Sequence, residues 1–242
     1  MNANKGKEII DELDRLSKAK EEAFFQHIAN RLGRQRITEK PVQPVRGVPD
    51  FWKSYHLSEE ERIELFMKNW QAMGGDAKRF ATKEELVEHM KGIATSMSAR
   101  NLIRANHPFL EELGVDAALE GVDMTVWKKD SPVDLLEKAA GADIGITVVD
   151  FAIAHTGTVV VTSGPDKGRS LSLLPTAFMA IIRAEDIRTR MGEVMTEIHK
   201  WNGNGMPAGI HFITGPSRSA DIENDLTIGV HGPGIVFAFI LG

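Results

Sequence analysis

The residues able to do chemistry gather in three polar clusters. They are His155-Thr156-Gly157-Thr158, Gly168-Arg169-Ser170, and the run from Thr214 to Glu223, which Gly229-Val230-His231-Gly232-Pro233 soon follows. Glycines let backbone approach a ligand closely, and hydroxyls and free N–H groups bind oxyanions. An arginine grips a carboxylate or phosphate with two parallel hydrogen bonds. The candidate anion-binding set is therefore Thr156, Gly157, Thr158, Arg169, Thr214, Gly215, Ser217 and Arg218. Beside it stand three candidates for proton transfer, His231, Asp221 and Glu223, of which the imidazole titrates nearest neutral pH. Each has a plain alternative: an arginine pairing Asp221 or Glu223, a Thr-Gly turn, a histidine that only fixes its loop.

A metal site drawn from His155, His211, His231 and Asp221 lacks any tight ligand spacing such as His-x-x-x-His, so none is expected. The glycine-rich loops fit neither Gly-x-Gly-x-x-Gly nor the Walker pattern, which argues against a standard nicotinamide or ATP site. There is no cysteine. That removes disulfides, thiolate nucleophiles, cysteine-ligated zinc and iron–sulfur clusters held by this chain alone.

The third cluster lies between Gly209–Ile213, which reads as a short strand, and Ile235–Leu241, a continuous apolar run that reads as a buried one. A connection of about twenty residues far exceeds the usual two to five, and function is sought in that excess. Upstream, Ile144–Thr147, Thr158–Thr162 and Phe178–Ile182 are β-branched or apolar runs, and Asn101–Arg104 and Val122–Trp127 are shorter strand candidates. Helices alternate with them. Ser58-x-x-Glu61 and Thr82-x-x-Glu85 are capping boxes, Ser131-Pro132 puts proline at a first helical position, and Asp186 is positioned to cap the stripe Ile187, Met191, Val194, Met195 and Ile198. This alternation predicts an α/β fold, a sheet covered by helices. In such open sheets ligands bind outside the carboxyl ends of the strands, which is where the three clusters are expected.

Ahead of that domain, residues 7 to about 32 have helical periodicity, and three prolines in Pro41–Pro49 form an extended linker. The expected division is an N-terminal helical arm with its linker over 1–50 and an α/β domain over 51–242. The formal net charge is −5, which gives no overall basic field for nucleic acid. The exception is local, Arg31, Arg34 and Arg36, read as cations at a helix carboxyl end. No window approaches the ~20 apolar residues of a membrane span, and the polar start is no signal peptide, so a cytoplasmic protein is expected.

Six clusters in fixed order resemble the LUD domain family: Gly145–Thr147, Ala152–Thr158, Gly168–Pro175, Ile213–Arg218, Ala220–Glu223 and Gly229–Pro233. The likeness covers roughly residues 80–242. It implies a Rossmann-like sheet similar to the sugar-phosphate isomerase and CoA-transferase group. It also implies a role in oxidising L-lactate to pyruvate with two iron–sulfur partner proteins, which would hold the redox centres this cysteine-free chain lacks. Two alternatives stay open. One is a stand-alone isomerase or acyl-transferase-like enzyme using Asp150, Asp221 or Glu223. The other is a non-catalytic assembly subunit docking through its N-terminal helix and the Arg31–Arg36 cluster.

Overall fold

A computed structural model describes residues 3–39, 42, 47, 55–201, 205–220 and 225–242. Asp221 and Glu223 lie outside them, as does most of the proline-rich segment. Chain contacts divide the molecule into two compact units, 1–55 and 56–242. The first is built on α1 (Ala3–Arg31), which starts earlier than its apolar periodicity suggests. Arg36 folds back along this helix, its guanidinium bonded to Glu22 and lying 5.8 Å from the centre of the Phe25 ring.

The second unit opens with α2 (Glu59–Ala72), where Ser58 and Glu61 form the expected reciprocal cap. Then come β1 (Asp76–Phe80), α3 (Lys83–Ser96), β2 (Asn101–Ala105), α4 (Pro108–Glu112), α5 (Val115–Ala118) and β3 (Asp123–Trp127). They are followed by α6 (Leu135–Ala140), β4 (Ile144–Val148), β5 (Phe151–Ile153), β6 (Thr158–Ser163), β7 (Ala177–Arg183) and β8 (Ile187–Arg188). The chain closes with α7 (Met191–Lys200), β9 (Gly209–Ile213), β10 (Arg218–Ser219), β11 (Thr227–Ile228) and β12 (Ile235–Leu241).

Six strands form one sheet in the order β1-β12-β7-β4-β2-β3, every pair parallel. Alternate residues of β12 and β7 enter different cores. Val236, Ala238, Ile240, Phe178, Ala180 and Ile182 face α2 and a second sheet. Phe237, Phe239, Met179 and Ile181 instead face α3 to α6. Burial on both faces is why these strands read as unbroken apolar runs rather than alternating ones.

The second sheet, β8-β5-β6-β9, was not visible in the sequence as a separate layer. It packs between the large sheet and α7, whose Val194 and Ile198 meet Ile153 and Val160. β9 belongs to this sheet and is only half-buried, so the Thr214 segment joins two different sheets rather than two buried neighbours. Nor is that segment all loop, because β10 and β11 pair within it as a small antiparallel ribbon.

Three helix starts differ from expectation. Asp134, not Ser131-Pro132, caps α6, its carboxylate accepting from the N–H groups of Leu136 and Glu137. Asp186 caps nothing. It accepts from Arg183 Nε at 2.7 Å, and α7 begins at Met191, where Glu193 instead accepts from the Thr189 N–H. At α3 Thr82 caps Glu85 N–H, but Glu85 reaches back to the N–H of Ala81, so the box is not closed on the cap residue. Among the described residues no helix is long and apolar enough to cross a membrane.

Candidate functional site

The first and third polar clusters meet, and the turn that presents the first is clamped to α2. Asn69 Nδ2 donates to the carbonyls of Ala154 (2.8 Å) and His155 (3.0 Å). Gly157 closes this turn at φ +59°, and a Cβ there would lie 2.5 Å from the backbone nitrogen of Trp70. Only glycine meets both demands. Thr156 and Thr158 are thereby held 2.7 Å apart, oxygen to oxygen, and Thr158 lies 2.7 Å from the Thr214 hydroxyl. Three hydroxyls in a row share two hydrogen bonds, so one donor proton of the three is left uncommitted. An anion beside Thr214 would turn that proton outward.

Beyond Thr214 the backbone turns sharply at Gly215 (φ +74°), where a Cβ would lie 2.6 Å from the Met73 carbonyl. Arg218 Nη2 donates to that same carbonyl, which draws its exposed guanidinium toward the end of α2. Ser217 donates its N–H to Pro233 (3.0 Å) and accepts from the N–H of Gly229 (3.0 Å). Its hydroxyl oxygen accepts from the N–H of His231 at 3.3 Å, which leaves the O–H to donate elsewhere. Thr214, Gly215, Ser217, Arg218 and His231 therefore line one cavity of about 330 Å³, with Leu173, Phe212 and Val236 as its apolar wall.

One expectation needs correction. The cavity sits at the amino ends of the large sheet, since Pro233 lies two residues before β12 and Gly234 donates to Thr176 just before β7. The sheet is threaded so that the segment after β9 re-enters it at the start of β12. Arg169 is not part of the cavity wall. It belongs to the 3₁₀ turn Arg169–Ser172, and its charge acts on His211.

At the opposite, carboxyl end lies a group that sequence reasoning singled out only through Asp150. One oxygen of Asp150 accepts from Lys167 Nζ (2.7 Å), the Thr162 N–H (2.7 Å) and the Thr162 hydroxyl (3.1 Å). That oxygen is saturated and ties β4, β6 and the 164–168 turn together. A carboxylate so engaged is an anchor more than a free base. His107 near it has its pKa pushed below the ordinary imidazole value, by burial first and then by Lys167 and Arg183. No spacing rule links Asp150 to Lys167, because the turn that joins them is set by strand pairing. Among the described residues no three His, Asp or Glu side chains converge as metal ligands do.

A model of the LUD domain matches residues 63–241, starting further upstream than the motifs suggest. A protein of Halalkalibacterium halodurans named lactate utilization protein C is 38% identical over 216 residues, covering 88% of this chain and 93% of that one. Its namesake in Bacillus subtilis is 33% identical over 229 residues, covering 91% and 95%. In three dimensions the chain is similar to the crystal structure of a DUF162 family protein from Deinococcus radiodurans. The TM-score is 0.56 at 22% identity, over 77% of this chain and 100% of that one, which speaks for the fold. The match over most of the chain, with relatives of this identity along nearly their whole length, shows that the chain belongs to the LUD domain family.

Proposed function

We propose that the chain is a cytoplasmic subunit of a system that oxidises L-lactate to pyruvate with two iron–sulfur partner proteins. The observation that carries this reading is the convergence of Thr214, Ser217, Arg218 and His231 on one cavity, in a chain whose relatives are named for lactate utilization. Lactate offers a carboxylate and one hydroxyl. The carboxylate accepts from the outward hydroxyl of the Thr156–Thr158–Thr214 chain, from Ser217 and from Arg218. His231 at the rim receives the hydroxyl proton. Leu173 and Phe212 offer an apolar surface to the methyl end. The hydrogen on the carbinol carbon leaves with its two electrons, as a hydride equivalent, to the partners, which hold the iron–sulfur centres that carry the electrons on, since this chain has no cysteine to ligate one.

The test is L-lactate-dependent dye reduction by the three proteins together, with the chain, without it, and with Arg218→Ala. Removing a charge-assisted hydrogen bond of ~1.5–3 kcal/mol should lower turnover by about tenfold or more in a variant whose circular dichroism is unchanged. Dye reduction by the two partners alone at the full rate would refute the proposal. Activity that needs the chain but ignores Arg218 would move it toward an assembly role.

A further inference from the structure

The large sheet ends in β1 on one side and in β3 on the other, each paired along one edge only. An edge strand leaves a row of N–H and C=O groups without partners, and proteins commonly blunt such an edge with charge or proline. β1 is blunted. Lys78 and Arg79 stand in the middle of Asp76–Phe80, so pairing this strand with its own copy would set cation against cation. β3 is not. Between Asp123 and Lys128 run Met124, Thr125, Val126 and Trp127, half-buried residues without charge, proline or glycine. The Asp123 N–H donates to the Arg100 carbonyl at 2.7 Å, which fixes how the strand is turned. Peptide groups of successive residues in a strand point to opposite sides. Those of Asp123, Thr125 and Trp127 therefore face β2, and those of Met124 and Val126 face outward. Among the described residues no other strand pairs with them.

We propose that β3 joins two copies of this chain, pairing antiparallel with itself across a two-fold axis at Thr125. This register sets Met124 opposite Val126 of the second copy, and Val126 opposite its Met124. Both residues of each pair present outward peptide groups, so each pair exchanges both of its N–H···O bonds. Thr125 meets its own counterpart in the alternate kind of pair, where the side chains approach most closely and threonines favour each other. Charge selects a second copy as the occupant. Glu120 and Asp123 mark the amino end of the strand, and the exposed Lys128 and Lys129 follow its carboxyl end. Antiparallel pairing lays the acidic end of each copy beside the basic end of the other. The cavity of about 500 Å³ beside Thr125, whose wall includes the exposed Val133, is space that side chains of the second copy enter.

The experiment is sedimentation velocity of the full chain over a range of concentrations, where a reversible monomer–dimer equilibrium is expected. Thr125→Lys and Thr125→Glu should each sediment as monomers with unchanged circular dichroism, because each sets like charges against each other across the axis. Their equimolar mixture should regain the dimer, since lysine then meets glutamate. Val126→Pro removes an outward N–H and leaves the β2 ladder intact, so it too should be monomeric. Lys78→Glu, on the other edge, should leave the dimer unchanged. Hydrogen exchange at the Met124 and Val126 amides should slow as the parent chain is concentrated, and should stay fast in either Thr125 variant alone. A parent chain that is monomeric at every concentration would overturn the proposal. So would a dimer that persists in Thr125→Lys and Val126→Pro, which would place the interface elsewhere. Folded Thr125 variants that remain monomeric when mixed would overturn the two-fold axis.

Discussion

At the scale of single residues, three histidines make folding sensitive to acid. His89, His107 and His211 are all held below the ordinary imidazole value of 6.5, burial acting first in each case. The nearby cations are Lys78 for His89, Lys167 and Arg183 for His107, and Arg169 for His211. A ring with a depressed folded pKa binds fewer protons in the folded chain than in the unfolded one. Its contribution to stability is complete above 6.5 and is lost as pH falls from there through the depressed value. The urea midpoint should accordingly be lower at pH 5.5 than at pH 7.5. His107 has a further reason to stay neutral, since its Nδ1 accepts from the Phe109 N–H at 3.1 Å to start α4. Asparagine retains a capping acceptor without titrating, so His107→Asn should show a shallower acid loss. An acid loss as steep as that of the parent would contradict this account. Arg104 is a second sensitive point, almost wholly buried and bidentate to Asp116 at 2.6 Å for both bonds. Asp116→Asn should cost about 2 kcal/mol in urea denaturation, less than a fully buried pair because Asp116 is half-exposed to water.

Among the elements, the connections across the large sheet are set by close approach. A Cβ on Gly145 in β4 would lie 2.0 Å from the Leu171 carbonyl, and one on Gly168 would lie 2.0 Å from the Trp127 ring. The segment after β6 therefore runs tight against β4 and the end of β3. Gly145→Ala should destabilise the protein by ~2 kcal/mol or more, because its neighbour is backbone and the 169–172 turn would have to shift. Calorimetry showing an unchanged melting temperature would mean that turn is looser than the contacts imply. The capping box at Ser58 was readable because it is a contact three residues long. The start of α6 was not. Ser131-Pro132 and Asp134 are both good starts, and the choice between them depends on where the chain must turn toward β4.

For the whole molecule, the three hydrophobic clusters are drawn entirely from residues after Tyr55. A chain comprising residues 56–242 should therefore fold by itself, with a cooperative thermal transition by circular dichroism. A broad, non-cooperative transition would show that the first unit supplies part of the core. The same truncation also discriminates among roles. Loss of complex formation with the proposed iron–sulfur partners while the fold survives would place docking in residues 1–55.

The sequence by itself determined the α/β class, five of the six strands of the parallel sheet, the N-terminal helix and the polar residues worth suspecting. These are written in short-range terms: caps, apolar runs and side chains that bind anions. Tertiary structure alone decided which suspects share a site. Strand pairing over more than fifty residues joins Thr158 to Thr214, and placing β12 between β1 and β7 moves the Thr214 segment to the amino end of the sheet. It also leaves Arg169 out of the cavity that Arg218 lines. Strand order and sheet membership follow from how two apolar faces are both covered, a property of the packed whole that no local window contains.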